Sequence, residues 1–592
     1  MTAATAPAAA PRADAPSADL SPPAAGRHRI WPLALAIALI LTAAWTIKDW
    51  AVLSRLWLPD NDDMVRLQQV RDWLGGQGFN DLMQYRFGPP EGASMHWSRI
   101  ADAALALLLL VLTPLIGTHA AEVAAVIAWP AMLFFAYLLI VARMAGRIGG
   151  DGARIPALIL AALAFPTISL FLPGRIDHHA LQIVLLVLLA DMLVVEPTLR
   201  RGLAAGAAAA LSLAVGLEAA PEIVAAVAAM GLAWIAGGRE QDRRMLGFAL
   251  ALGGVTLALL AFARPHVWPE QWCDGFTPAS SRGTLVLAGA LAALGLAGAR
   301  LGGWKARTGV AAVLGTIAAA AAWKTSAVCV AGPYGALDPF LQQVWMRNVN
   351  EASSLLRQDT FGTAVAYGGL ILPGAALAAW MAWREPRWRV FAIFLVLGAL
   401  ASVAQVRVTY IMAGIAVVPF AALLARETTL VRRLALWTLG AGICWNLIAA
   451  QLDGVLAKPI VIARAVQKNC VSPDGVAVIA GLPRGTIMAP LDLDSYLLAA
   501  TPHHVVGSLY HRNNAGNLAM YRFFLSPPDA ARHQARAEGI NYVAICGGLL
   551  HEPGLERYRP GSLAERLQSG APAPDWLEPV ATDSPIQLYR VR

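Results

Sequence analysis

Between residues 30 and 451 the chain alternates long apolar runs with short polar loops, and this pattern constrains the fold more than any single motif. A helix needs about 20 apolar residues to cross the hydrocarbon of a bilayer. Inside lipid every backbone N–H and C=O must be satisfied within the segment, so runs of this length commit the chain to membrane helices. Composition agrees: 14% of residues are charged and 57% hydrophobic, where a soluble domain carries roughly 25% charged residues. Residues 452–592 contain no spanning run and read as a soluble domain of mixed α/β type. Residues 1–29 are Ala/Pro-rich with scattered charge (Arg12, Asp14, Asp19, Arg27, Arg29) and too few large apolar residues to bury. They read as a disordered cytoplasmic tail. The run 30–47 is longer than a signal-peptide core and lacks a small-residue cleavage site, so it reads as a retained first span.

Fourteen apolar segments are visible, and charge decides which of them cross. The segment 101–117 contains Pro114 and starts beside Asp102. If it lies along the membrane without crossing, thirteen spans remain, at 30–48, 121–143, 154–172, 179–195, 202–217, 219–237, 244–263, 284–300, 307–327, 363–383, 389–404, 408–425 and 432–450. With a cytoplasmic N-terminus, each inside loop then holds clustered basic residues: Arg143/Arg147/Arg154, Arg200/Arg201, Arg239/Arg243/Arg244, Arg300/Lys305/Arg307, Arg384/Arg387/Arg389 and Arg426/Arg432/Arg433. That is the positive-inside pattern, and letting 101–117 cross would destroy it. The formal charge of +8 therefore belongs to loop topology, and no nucleic-acid-binding motif is visible. The expected architecture is an α-helical polytopic membrane domain, residues 30–451, with the soluble domain 452–592 outside the cytoplasm. An Ala-rich chain with many Arg and few Lys suggests a GC-rich bacterial genome, hence the inner membrane, with this side facing the periplasm.

This topology gathers the loops 49–120, 173–178 and 328–362 and the soluble domain on one side, together with Cys273, Cys329, Cys470 and Cys546. In an oxidising compartment these form disulfides. Cys273–Cys329 and Cys470–Cys546 are plausible pairs, although spacing alone leaves connectivity open. Cys444 falls inside the last span and reads as packing.

Acidic residues concentrate on the same side. The stretch Pro59-Asp60-Asn61-Asp62-Asp63-Met64 follows the first span. One reading is a helix N-cap, where carboxylates accept N–H bonds and meet the positive end of the dipole. The other is a metal site. Pro173-Gly174-Arg175-Ile176-Asp177-His178-His179 bears on that choice, because Asp177 and His179 together supply part of a shell for Mn²⁺ or Mg²⁺. Asn348-Val349-Asn350-Glu351 adds an acid in the long loop, and Glu218 and Glu222 sit near an outer hairpin. Arg407, in the turn between two late spans, suits a phosphate group or an interfacial snorkelling position.

Together these stretches resemble the catalytic subunit of oligosaccharyltransferase, a GT-C glycosyltransferase. Asn61-Asp62 with Arg71-Asp72 resembles the family's first acidic motif. Pro89-Pro90-Glu91-Gly92, His96-Trp97 and Asp102 resemble the stretch that follows it, which in the family leads into non-spanning helices. Gly174-Arg175-Ile176-Asp177-His178-His179 resembles the second motif in its archaeal form. Val349-Asn350-Glu351 is similar to the segment whose acid holds acceptor and metal, and Arg407 matches the arginine that contacts the donor diphosphate. The resemblance covers roughly residues 30–520 as scattered short motifs. It departs in the soluble domain, where Pro490-Leu491-Asp492-Leu493-Asp494-Ser495-Tyr496 replaces the family's sequon-reading Trp-Trp-Asp-Tyr-Gly and both tryptophans are missing.

The resemblance implies transfer of a sugar or oligosaccharide from a polyprenyl (di)phosphate to a protein, lipid or polysaccharide acceptor. It implies a metal held by Asp62, Asp177 and His179, with Asp63 in reserve as ligand or base. Glu351 and Asp492 would meet the acceptor, joined by His511 and Arg512 from the polar run that follows. The rival readings are a transferase using a monophosphate-linked sugar, a lipid or glycan transporter, and a non-catalytic assembly protein. No internal repeat of the kind common in transporters is visible.

Overall fold

The computed structural model describes residues 30–456, 470–582 and 584–592. The tail 1–29, expected to be disordered, lies outside them, as do residues 457–469 at the expected start of the soluble domain. The membrane domain opens with α1 (Trp31–Leu53), α2 (Asn61–Leu74), α3 (Arg99–Ile116), α4 (Thr118–Gly149), α5 (Arg154–Ala161) and α6 (His179–Leu193). It continues through α7 (Leu199–Val215), α8 (Ala220–Ala236), α9 (Arg239–Phe262), α10 (Pro278–Gly298), α11 (Trp304–Thr325) and the short α12 (Pro339–Val344). α13 (Phe361–Gly368), α14 (Ile371–Arg384), α15 (Arg389–Ala404), α16 (Thr409–Leu424), α17 (Leu430–Gly440) and α18 (Gly442–Leu456) complete it.

The expected thirteen spans all fall on helical segments, but not all are full-length crossings. Among the described residues ten helical stretches are long and apolar enough to cross a membrane, or eleven if the pair α17–α18, bent by 71°, counts as one. The shortfall has local causes. α6 and α7 have 15 and 17 residues, and α5 has only 8 before the chain passes into a 3₁₀ turn at Thr167–Phe171. α3, expected not to cross, is long and apolar enough to do so. Its contacts argue otherwise. The Arg99 guanidinium at its start donates to Gln77 and to the Asp81 carbonyl, while just past its end His119 Nε2 lies 3.0 Å from the Ser54 carbonyl oxygen at the C-terminus of α1. Both ends of α3 are therefore at the same end of the bundle.

Two features hold the bundle together. α7 and α9 pack closely because Gly206 and Gly247 lie at the crossing. A Cβ on Gly206 would stand 2.2 Å from the Phe248 carbonyl oxygen, and one on Gly247 2.3 Å from that of Leu199. Small residues at such crossings let backbones approach. α16 is buried on nearly every side and acts as a central post, with Arg407 in the 3₁₀ turn at its head.

The C-terminal region has the expected mixed character. Its helices are α19 (Pro473–Ala480), α20 (Leu491–Ala500), α21 (Asn514–Leu525), α22 (Pro528–Ala537) and α23 (Leu563–Gln568). After a two-stranded ribbon, β1 (Met83–Gln84) with β2 (Ala93–Ser94), the main sheet comprises β3 (Thr486–Met488), β4 (His504–Val505), β5 (Tyr542–Cys546), β6 (Leu577–Val580) and β7 (Ile586–Val591). Their order is β4-β3-β5-β7-β6, parallel among β4, β3 and β5 and antiparallel at β7. Two loops of the membrane domain belong to this unit. Val65, Phe87, Met95 and Trp97 share a core with Ile487, Val505 and Leu588, and Leu341 and Trp345 share another with Met520 and Phe524. The disulfides Cys273–Cys329 and Cys470–Cys546 are both formed, and Cys444 is free.

The loop unit is tied to the bundle through Arg66 on α2, which is completely buried. Its Nη1 donates to Asp102 of α3 at 2.5 Å, its Nη2 lies 3.6 Å from Asp177, and its guanidinium stacks 4.4 Å from the Trp97 ring. Removing one partner of a buried ion pair typically costs about 3–5 kcal/mol. Arg66→Met is expected to destabilise the protein by about that much. Thermal unfolding in detergent would check this, and Asp102→Asn added to it is expected to restore part of the loss.

Candidate active site

The three carboxylates after the first span have three different jobs. Asp60 is the N-cap of α2, its Oδ1 accepting the Asp62 N–H at 3.2 Å. Asp63 is fully buried, and its Oδ1 accepts the backbone N–H groups of Ile176 and Asp177, both at 2.8 Å. It pins the second motif to the first, while Arg175 bridges Asp60 and Asp63 at 2.7 and 3.2 Å. Asp62 lines the cavity, as Asp60 does, and its Oδ1 accepts the Tyr510 hydroxyl at 2.8 Å. The N-cap reading thus holds for Asp60, and the proposed reserve role of Asp63 meets a carboxylate already engaged by backbone.

The cavity has a volume of about 430 Å³. It lies where loop 173–178, the 3₁₀ turns at Leu217–Ala219 and Val406–Val408, and residues 509–511 of the sheet domain meet. An alternating string of charge runs along it. Asp177 Oδ1 is 2.5 Å from His178 Nδ1, His178 Nε2 is 3.5 Å from Glu218, Glu218 is 3.8 Å from Arg407, and Arg407 Nη2 donates to Glu351 at 3.1 Å. Loops as far apart in sequence as Asp177 and Arg407 thus present alternating charges along one string, as the expected sidedness of these turns requires.

Asp177, His178 and His179 each place a ligand atom within 4.8 Å of the others. His179 is held in a defined tautomer. Gln182, one helical turn on, donates its amide N–H to the carbonyls of Gly216 at 2.9 Å and Ser212 at 3.4 Å. Its Oε1 must therefore accept His179 Nδ1–H, at 3.2 Å. His179 Nε2 is left with a lone pair, and it faces Asp177 Oδ2 at 3.4 Å. That carboxylate oxygen is buried and has no hydrogen-bond partner. Two lone-pair groups face each other with no proton between them, which is what a cation site requires.

The surrounding charge points the same way. Burial raises the Asp62 carboxyl, and the neighbouring Asp177 and Asp60 raise it further, to about 8. Burial also opposes ionisation of Asp177, but the His178 imidazole, through its charge and hydrogen bond, and the Arg66 guanidinium outweigh it and hold that carboxyl well below the usual range. His178 is pushed up to about 9: burial opposes its charge, and Asp177 and Glu218 prevail.

The far wall is built around His511. Its Nε2 is 2.5 Å from Asp274 Oδ2, and the rings of His96, Trp272 and Tyr334 each stand 5.1 Å away. Arg512 does not reach the cavity. Its guanidinium donates to both oxygens of Asp274, at 2.6 and 2.7 Å, and to the Met95 carbonyl. Asp492 is not brought to the cavity either; its charge bears on Tyr521 and Glu552. The stretch that stands in for the sequon reader forms α20, with Leu491, Leu493, Leu497 and Leu498 in the core. Of the residues expected at the site, Asp62, Asp177, His179, Glu351, Arg407 and His511 line one cavity, while Asp63, Asp492 and Arg512 do not. Tyr510, from the polar run Tyr510-His511-Arg512-Asn513-Asn514 that was expected to face the site, lines the cavity too; His178, Gln182 and Asp274 were not assigned a role. Gln182 carried a readable signal, an amide three residues after His179 on the same helix face.

No protein-family model matches the sequence, and no curated protein sequence matches it either. Solved structures do share its fold. The oligosaccharyltransferase of Archaeoglobus fulgidus in its apo form aligns with a TM-score of 0.65 at 14% identity, over 87% of this chain and 70% of that one. The archaeal enzyme in complex with an inhibitory peptide and a dolichol-phosphate aligns with a TM-score of 0.63 at 14% identity, over 87% and 69%. The complex with Zn and sulfate aligns with a TM-score of 0.59 at 15% identity, over 87% and 68%. At such identities the likeness is one of fold: the chain shares the fold of the archaeal oligosaccharyltransferase.

Proposed function

We propose that the chain is a membrane glycosyltransferase that moves a sugar or oligosaccharide from a polyprenyl (di)phosphate donor to an acceptor on the cavity's side of the membrane. The observation that carries this reading is the facing pair of lone-pair groups, His179 Nε2 and Asp177 Oδ2, in a cavity that also holds Asp62, Glu351 and Arg407. The archaeal neighbours were solved with a dolichol-phosphate and, separately, with Zn and sulfate, ligands of the kinds this cavity suits.

The residues fit a divalent cation, and we assign Asp177, His179 and Asp62 to hold it, as Mn²⁺ or Mg²⁺. When bound, it would supply Lewis-acid stabilisation for the departing phosphate. The chain's own residues do the rest. Arg407 is positioned to receive the phosphate: it donates an ordinary hydrogen bond to Glu351 at 3.1 Å, while Glu218 stands 3.8 Å away, beyond hydrogen-bond reach. Glu351, released from Arg407, orients the acceptor, and His511 lines the opposite wall. Asp63 and Arg175 keep the two motifs in register.

A second reading differs in donor and acceptor. With Leu491 and Leu493 committed to the core of α20, this chain presents no aromatic platform of the sequon-reading type there. That favours a lipid or polysaccharide acceptor, served by a monophosphate-linked sugar. Under either reading the cavity faces the periplasm of a bacterial inner membrane.

Three results test the proposal. Asp62→Ala and Asp177→Ala are each expected to remove a glycoconjugate from the cell envelope while the protein stays folded in the membrane; comparing envelope glycans from cells with wild type, variant and no protein reads this. Unchanged glycans in both variants would sink the metal-site reading. Transfer by purified protein is expected to stop in EDTA and return with Mn²⁺ or Mg²⁺, whereas transfer that persists in EDTA would favour the monophosphate-sugar reading. Gln182→Leu is expected to weaken metal affinity about 10- to 100-fold by releasing the His179 tautomer, measured by metal titration of the folded variant.

A further inference from the structure

At the end of the bundle away from the active site, a second cavity of about 580 Å³ gathers three arginines. Arg143 and Arg147 come from the last turns of α4 and Arg154 from the first residue of α5. The rest of the lining is apolar: Ile30 beside α1, and Ala136, Leu139 and Ile140 on α4. Positions 136, 139, 140, 143 and 147 follow helical spacing, so one stripe of α4 passes from apolar to cationic along its axis. At 1.5 Å per residue the change is complete within about 16 Å.

The charges here are not balanced within the protein. Arg143 Nη2 and Arg147 Nη1 both reach the same oxygen of the fully buried Asp191, at 2.6 and 2.5 Å. Arg154 Nη2 pairs with Asp151 at 2.8 Å. Three guanidinium groups thus face two carboxylates, leaving one positive charge. The arginine side chains remain 44%, 32% and 32% exposed, with N–H donors to spare. Arg154 is also laid in place: a Cβ on Gly146 would stand 2.5 Å from its Nε, so the side chain occupies a notch in α4 that only glycine leaves. That Nε is buried without a hydrogen-bond partner.

A phosphodiester supplies one negative charge and acceptor oxygens matched to guanidinium geometry. A free phosphate supplies the same chemistry but leaves the apolar stripe uncovered, whereas a lipid places its acyl chains along Ala136, Leu139 and Ile140. We propose that this cavity binds the phosphate headgroup of an anionic phospholipid, on the membrane face opposite the active site. A lipid seated there clamps α1, α4 and α5 over Asp191 of α6, the helix whose other end carries His179.

The test uses the full-length protein, purified in neutral detergent and stripped of lipid. It is titrated separately with phosphatidylglycerol, phosphatidylcholine and glycerol phosphate, and read by native mass spectrometry and thermal unfolding. Phosphatidylglycerol is expected to bind saturably and raise Tm, with the other two inactive at the same concentration. Arg154→Gln should weaken phosphatidylglycerol about fivefold, the share of one arginine near an anionic lipid. Arg143→Gln/Arg147→Gln/Asp191→Asn, which leaves no buried charge unpaired, should abolish binding. Arg154→Gln carries the test alone if the triple variant fails to fold, because its partner Asp151 is 65% exposed. Equal binding of phosphatidylcholine, glycerol phosphate matching the lipid, or Arg154→Gln binding like wild type would each overturn the assignment.

Discussion

The site depends on one buried cation. Arg66 lies where α2, α3, Trp97 and the Asp177 loop meet, fully shielded from bulk solvent. A guanidinium in such surroundings persists only if its carboxylates are held against it, and their positions are fixed in turn by its fork of donors. Asp102 is steadied by Arg99 at 3.1 Å, and Asp177 by the backbone grip of Asp63 on its loop. From that anchor the signs alternate outward through Asp177, His178, Glu218 and Arg407 to Glu351. Each group faces one of opposite sign, so Arg66 and the turn that carries Arg407 are joined by charge and not by an unbroken run of hydrogen bonds.

This arrangement separates holding from reacting. Asp60, Asp63, Asp102, Arg99 and Arg175 spend their charge on each other and on backbone, mostly at distances below 3.3 Å. Among the other groups on the cavity, Asp177 Oδ2, His178 Nε2 and Glu218 Oε2 are buried without hydrogen bonds, and Arg407 stands 3.8 Å from Glu218. Unsatisfied polar groups cost stability unless something fills the gap between them. Here they line one volume and are of the types that bind cations and phosphates.

Much of this was legible in the sequence, and what was not has physical reasons. Charge in the loops gave the sidedness that brings Asp62, Asp177, Glu351 and Arg407 together, because lipid leaves a chain few ways to arrange such runs. Span lengths were less readable. Hydropathy does not tell a full crossing from the 15-residue α6, nor α3 lying along one end of the bundle from a helix that crosses. Asp492 looked like a functional acid because motif position was its only clue, while the leucines around it were a stronger signal for a packed helix. Asp274 left no trace at all: its role comes from residues 237 and 238 positions away, and no local pattern encodes a partner at that distance.

The joining of early loops to the sheet domain has a consequence for how the protein is made. Val65, Phe87 and Trp97 leave the ribosome long before the surfaces they pack against, which come from residues 476–588. Arg86 donates to the Thr501 carbonyl across 415 positions, and Tyr510 reaches Asp62 across 448. At roughly 5–20 residues per second, the first acidic motif waits at least about twenty seconds for the strands that will cover it. During that interval its apolar side chains are open to chaperones and to neighbouring copies. The candidate site is thereby finished last: a nascent chain with a fully inserted bundle lacks the Tyr510 and His511 wall until its sheet has docked.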